Sequence, residues 1–213
     1  YTAASGGNKV VESTTVKTAE NHTLYAHWVS NTYTITFDAQ GGTTTLKTLI
    51  ATYGSNTNNC LDTTTNPTKE GYTFDGWYTK SDFSDTKVTQ IVKGTTGDKT
   101  FYAKWTANTY TVTLNPQSGT GGTTSVTATY GSAMPAITKL PIRTGYTFGG
   151  YYTGKNGAGT QYYKADGTSA TKWNLEGAQT LYAKWAPSTY SVKFNGNGST
   201  SGSMSNQSFT YDE

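Results

Sequence analysis

Few side chains in this 213-residue sequence could perform acid-base, nucleophilic or metal chemistry, and their spacing does not gather them. The only histidines are His22 and His27, both within the first 32 residues. Asp82 and Asp85 could ligate a cation, but a calcium site needs roughly six to eight oxygens. The matching stretch later in the chain has no counterparts to them, so they are read as solvated loop carboxylates. Asp166 and Glu176 are the only acids between residues 110 and 189, and nothing in their spacing pairs them. The single cysteine, Cys60, lies seven residues after Tyr53, where Ile137 lies seven after Tyr130. That correspondence makes it an apolar core residue rather than a reactive thiol. Gly119 to Gly122 lacks the Lys-Ser or Lys-Thr tail of a phosphate-binding loop and is read as a hairpin loop. The expectation is a chain with no catalytic, cofactor-binding or metal site, and not an enzyme.

The elements that would have to position any site are repeated. The hexamer Thr-Leu-Tyr-Ala-Lys-Trp at 180–185 recurs as Thr-Phe-Tyr-Ala-Lys-Trp at 100–105 and Thr-Leu-Tyr-Ala-His-Trp at 23–28. Its tryptophans, Trp28, Trp105 and Trp185, are 77 and 80 residues apart. The Thr-Tyr pairs ending at Tyr33, Tyr110 and Tyr190 keep the same steps. A second Thr-Tyr pair recurs at Tyr53, Tyr130 and Tyr211, followed by glycine in the first two and by Asp212 in the third. A fixed period of this kind marks a tandem array of small units.

Within the hexamer, Leu181, Ala183 and Trp185 alternate with Thr180, Tyr182 and Lys184, the period of a half-buried strand. His27 takes the outward lysine position, which makes it a solvated residue rather than a base. The array divides into 1–32, the second half of a copy; 33–109 and 110–189, two complete copies; and 190–213, the opening hairpin of another. The beginning YTAASGG is read as an internal cut. Each complete copy opens with an alternating hairpin, Tyr33, Ile35 and Phe37 in one and Tyr110, Val112 and Leu114 in the other. A polar stretch follows. Pro135 with Ala136, Ile137 and Leu140 suggests one short helix there, so residues 54–66 and 132–140 are expected to contain one. Next come a proline-glycine turn and an aromatic strand whose Gly76 or Gly150 marks a bulge or a close backbone approach. A variable loop then leads to the hexamer. Linkers of four residues, 29–32, 106–109 and 186–189, join the copies.

Composition agrees with strands. Hydrophobic residues make up only 33%, yet 17 Tyr, 7 Phe and 5 Trp supply large buried areas. The net charge of +3 is uneven: residues 33–109 balance, while 110–189 carry +4. The basic residues are scattered, which argues against a nucleic-acid surface. No apolar stretch approaches the roughly 20 residues of a membrane span.

The run Pro-x-[Lys/Arg]-x-Gly-Tyr-x-Phe-x-Gly-[Trp/Tyr]-Tyr, at 67–78 and 141–152, followed by Thr-x-Tyr-Ala-x-Trp, resembles the Listeria-Bacteroides repeat. The resemblance covers essentially the whole chain, with Tyr151 replacing the tryptophan seen at Trp77 and Asp212 replacing a turn glycine. It implies an α+β, strand-rich fold of tandem small β-grasp (ubiquitin-like) repeats in an extended array. It also implies a secreted bacterial protein of the cell surface or cell wall.

The expected role is a non-catalytic spacer or stalk. The alternative is adhesion to host glycans or extracellular proteins through exposed aromatics, with Tyr162 and Tyr163 as candidate binding residues. The structural repeat core is expected at Trp28, Tyr33, Tyr53, Gly71, Phe74, Gly76, Trp105, Tyr110, Tyr130, Gly145, Phe148, Gly150, Trp185 and Tyr190. Partners would be neighbouring repeats, a host surface protein or glycan, and a second copy joined head to tail, with no nucleic acid and no membrane insertion.

Overall fold

The computed structural model describes residues 1–54, 61 and 66–212. Cys60 and most of the polar stretch at 54–66 lie outside the described residues. Among those described, eleven strands and one three-residue 3-10 turn form the regular structure. The chain divides into two compact units. One comprises residues 1–67 and 76–104, the other 68–75 and 105–213. The division therefore falls inside two strands rather than at the sequence repeat boundary.

In the first unit, β1 (Thr32–Asp38) and β2 (Thr48–Thr52) form an antiparallel hairpin. β3 (Tyr72–Tyr78) and β4 (Lys99–Ala107), of which 76–78 and 99–104 fall in this unit, complete the sheet order β2-β1-β4-β3. β4 runs parallel to β1, with Phe37 opposite Phe101. The inward residues Ile35, Phe37, Ala51, Trp77, Ile91, Phe101 and Ala103 are buried. Phe37 meets both Trp77 and Phe101 edge to face, at centroid distances of 5.0 and 5.7 Å. Aromatic edges fill this small core where aliphatic residues are scarce.

In the second unit, β5 (Thr109–Asn115) and β6 (Ser125–Thr129) make the same hairpin. β7 (Tyr146–Tyr152), β8 (Gln161–Tyr163) and β9 (Gln179–Pro187) follow. The sheet order is β6-β5-β9-β7-β8, so the first and last strands of the complete copy are central and parallel. The core contains Val112, Leu114, Ala128, Met134, Ile137, Tyr151, Tyr162, Tyr163, Trp173, Leu181 and Ala183. β7 shifts register between Phe148 and Tyr151. At Gly150, φ is +104°, and a Cβ would lie 2.1 Å from the Tyr163 carbonyl oxygen. Only glycine fits that approach. β10 (Thr189–Val192) and β11 (Gln207–Thr210) form a separate two-stranded hairpin in this unit.

The hairpins β1–β2, β5–β6 and β10–β11 leave their first strand in the same way. Asp38, Asn115 and Asn195 each accept the amide hydrogen of the residue two positions on, Gln40, Gln117 and Asn197, at 2.8–3.0 Å. Each of those three residues has positive φ. A short Asx turn thus starts loops that a tight two-residue turn could not span.

Four expectations are corrected. First, residues 132–140 form no helix. Their backbone groups are engaged with the variable loop: Trp173 N donates to Ser132 O, Met134 N to Ser169 Oγ and Ile137 N to Gly167 O. Those bonds remove the i to i+4 partners that a helix requires. Second, residues 23–28 are not a strand, and Trp28 is 91% exposed. In both complete copies the hexamer strand lies between the opening strand and the aromatic strand, and residues 1–31 contain neither. Third, two of the three linkers, 106–109 and 186–189, are single residues. β4 continues to Ala107 and β9 to Pro187, leaving Asn108 and Ser188. The alternation extends because Tyr146 and Thr147 of β7 pair with Pro187 and Ala186. Fourth, Tyr53 and Tyr190 are about half exposed rather than core, at 50% and 52%.

Candidate functional site

The groups with chemical potential are spent on local structure. His27 Nε2 lies 2.8 Å from Ala3 O, and its ring stacks on Tyr1 at 3.8 Å. His22 Nε2 lies 3.0 Å from Thr18 Oγ1. Asp85 Oδ2 accepts hydrogen bonds from Thr79 N and Oγ1. The Thr79 hydroxyl, followed by its amide, holds the Asp85 carboxyl below the usual carboxylate range. Asp82 is lowered by the Ser84 amide, followed by its hydroxyl, and Asp166 by the Thr168 hydroxyl, followed by its amide. Hydrogen bonds to the ionised form cause each of these shifts. These carboxylates stabilise turns, and among the described residues no group of three or more His, Cys, Asp or Glu is arranged to hold a metal ion.

Tyr162 and Tyr163 are not surface aromatics. Their exposures are 1% and 0%. As neighbours on a strand they point to opposite faces, and both faces are covered. Tyr162 packs on Trp173 at 4.8 Å and Tyr163 on Tyr151 at 6.2 Å. The Tyr162 hydroxyl donates to Asn174 Oδ1, and the Tyr163 hydroxyl donates to Pro135 O at 2.8 Å. Burial pushes the Tyr151 and Tyr163 hydroxyls up to about 12. The exposed-aromatic expectation for Tyr162 and Tyr163 is thereby corrected: both are core residues.

Other motif residues converge at the single-residue joints, and they do so twice within the second unit. At the first joint, Asn108 N donates to Gly71 O at 2.9 Å, and Asn108 O accepts from Tyr130 N at 2.9 Å. At the second, Ser188 N donates to Gly145 O and Ser188 O accepts from Tyr211 N, both at 2.9 Å. Side chains repeat the pattern. Thr73 Oγ1 donates to Asn108 Oδ1 at 2.5 Å, and Thr147 Oγ1 lies 3.2 Å from Ser188 Oγ. Tyr72 meets Tyr130 edge to face at 5.7 Å, and Tyr146 meets Tyr211 at 5.6 Å.

The glycine before each of those turn tyrosines is the floor of the contact. Gly71 and Gly145 have φ of +73° and +78°, and a Cβ on either would lie within 2.5 Å of the Tyr130 or Tyr211 ring. Cations cap the turn tyrosines from above: Lys69 Nζ is 4.7 Å from the Tyr72 ring centre, and Arg143 Cζ is 3.5 Å from that of Tyr146. Asp212 adopts a φ of +67°, against +74° at Gly131, so the substituted position keeps the turn. Aspartate is among the few residues that tolerate this region. Its carboxylate also accepts the Tyr146 hydroxyl at 2.7 Å, the main cause of that tyrosine's raised pKa.

The remaining motif residues pack nearby. Phe74 and Phe148 meet Trp105 and Trp185 at 5.5 Å, and Trp185 Nε1 donates to Pro116 O at 3.0 Å. Gly76, with φ of +156°, lies against the Lys87 side chain. Tyr33 and Tyr110 are half-buried.

Comparison with known proteins agrees with this repetition. The chain is 33% identical over 182 residues to a protein of Evansella cellulosilytica named "Putative Gly-rich membrane protein", covering 83% of this chain and 19% of that one. A second protein of that organism, "Putative membrane protein", is 32% identical over 185 residues, covering 83% of this chain and 24% of that one. Internalin H of Listeria monocytogenes is 41% identical over 114 residues, covering 51% of this chain and 18% of its own length. The chain thus spans less than a quarter of the length of these relatives. No solved structure matches. The sequence profile of the Listeria-Bacteroides repeat domain matches residues 1–27, 33–104 and 110–184, and the chain belongs to that family.

Proposed function

We propose that this chain is a non-catalytic repeat region of a secreted bacterial surface protein, serving as a spacer or stalk built from small β-grasp units. The observation that carries this reading is the parallel pairing of β5 with β9, from Val112 opposite Gln179 to Asn115 opposite Tyr182. The chain enters the copy at the start of β5 and leaves it at the end of β9. Tension between those points loads the paired strands in shear, so their hydrogen bonds resist together rather than opening singly. A spacer needs that property. The sheet order β6-β5-β9-β7-β8, a hairpin beside a parallel central pair, supports the β-grasp assignment. An irregular segment at 132–140 takes the place of the usual helix. Similarity to an internalin and to proteins named as membrane proteins supports a location at the cell surface. Among the described residues, no helix is long and apolar enough to cross a membrane.

A binding screen of the full chain against glycans and host extracellular proteins at physiological salt tests the proposal. The spacer reading expects no saturable binding. Saturable binding would replace it with adhesion. Head-to-tail association, with residues 190–213 of one molecule completing residues 1–32 of the next, is a separate proposal. The exposed faces of β10–β11 and of Leu24 and Trp28 support it, and a strictly monomeric mass by light scattering at high concentration would exclude it.

A further inference from the structure

We propose that the [Lys/Arg]-x-Gly-Tyr turn of each copy is a socket whose ligand is the Thr-Tyr pair of the following copy, and that this docking holds successive copies together. The inference concerns what joins the copies and stands whether the array is a stalk or an adhesin.

Four observations carry it. The two joints share no linker residue, Asn108 standing in one and Ser188 in the other, yet they make the same pair of backbone hydrogen bonds at the same 2.9 Å. The ring pairs Tyr72–Tyr130 and Tyr146–Tyr211 agree within 0.1 Å in centroid distance and 1° in interplanar angle. Chance contact between neighbouring copies would not reproduce both. The socket glycines have no steric latitude: a Cβ would lie 2.2 Å from Tyr130 at Gly71 and 2.4 Å from Tyr211 at Gly145. Finally, residues 68–75 group with the unit that contains Tyr130 rather than with the rest of their own copy.

The chemistry of the ligand follows from the socket. It is a tyrosine at the end of the second hairpin strand, whose amide reaches the linker carbonyl while its ring lies across a bare glycine. A residue of positive φ comes next, Gly131 or Asp212. At the first joint the following copy adds a further tie, since Gly71 N donates to Glu176 Oε1 at 2.7 Å. At the second, the Tyr146 ring is fixed at both ends, by the Arg143 guanidinium over its face and the Asp212 carboxylate at its hydroxyl. Tyr53 carries the same signature, with its amide donating to Asn31 O at 2.8 Å. Its ring is half exposed and meets no such turn within the described residues.

Residual dipolar couplings on the full chain test the proposal. In the wild type, amides of 109–187 and 189–211 are expected to fit one alignment tensor. Tyr146→Ala and Gly145→Ala damage the socket while leaving the residues of the hairpin unchanged. Either should give the hairpin its own, weaker alignment, with the cross-strand contact between Tyr190 and Phe209 retained and the near-ultraviolet signal of Trp173 unchanged. Tyr211→Ala should do the same from the plug side. A wild-type chain needing two tensors would overturn the proposal, as would socket variants that still fit one. Should a socket variant also perturb Trp173, its partner variant at Tyr211, which lies outside that core, decides.

Discussion

Leu114 and Leu181 are register partners on adjacent parallel strands although 67 residues separate them, and both are buried. Their pairing closes the complete copy on itself, which makes the hexamer strand the last and most connected element of the sheet.

The same hexamer position should therefore differ sharply between copies. Leu181→Ala is expected to lower stability by about 2–5 kcal/mol, the range for a buried leucine. Leu24→Ala, at an exposed position, should stay within about 0.5 kcal/mol. Urea unfolding followed by far-ultraviolet circular dichroism measures both, and equal effects would mean that residues 23–28 are packed after all.

Adjacent glycines in β7 should respond with opposite sign. Gly150→Ala drives a Cβ into the Tyr163 carbonyl at positive φ and should cost at least about 1–3 kcal/mol in strain. At Gly149 a Cβ would meet only the Lys184 side chain, at 3.4 Å, and φ is not positive. Gly149→Ala should be neutral or stabilise by about 0.5 kcal/mol through the unfolded chain. Thermal midpoints of the two variants give the comparison.

Tyr162→Ala and Tyr163→Ala should act on folding. Each removes a ring from the core of the second unit, at roughly the 3–5 kcal/mol typical of large aromatic truncations. A variant that kept wild-type stability while losing binding to a glycan would contradict this placement.

Alkaline pH should unfold the complete copy. Tyr151 and Tyr163 have hydroxyls raised to about 12 in the folded chain, against about 10 when unfolded. A folded pKa above the unfolded one means that their contribution is fully present below about pH 10 and is lost as pH rises towards 12. The Tyr146 hydroxyl is also raised, mainly by its bond to Asp212, so the second joint should weaken in the same direction. Phenolate absorbance during titration should show late-titrating tyrosines, Tyr151 and Tyr163 among them, released together with the loss of circular dichroism.

The repeat was legible in the sequence because each hexamer carries its own period: Leu181, Ala183 and Trp185 alternate inward wherever partner strands exist. What that period could not show was the partner, since alternation is the same in parallel and antiparallel pairs. Trp28 illustrates the limit, having the right pattern and no strand beside it. Tyr162 and Tyr163 escaped because consecutive strand residues face opposite ways, and only the fold reveals Trp173 over one and Tyr151 against the other. Met134 and Ile137 have helical spacing, but their backbone is drawn off by Ser169 and Gly167. The joint was visible only as a recurring Gly-Tyr and a recurring Thr-Tyr. Nothing local says that one lands on the other.

The most direct test of the spacer account is to pull the full chain from its two ends in a single-molecule instrument. Shear loading of β5 against β9 predicts one abrupt rupture for the copy spanning 109–187, releasing up to roughly 280 Å of extended chain. Gradual lengthening with no discrete rupture would contradict the account, because strands peeled one bond at a time could not carry the load of a stalk.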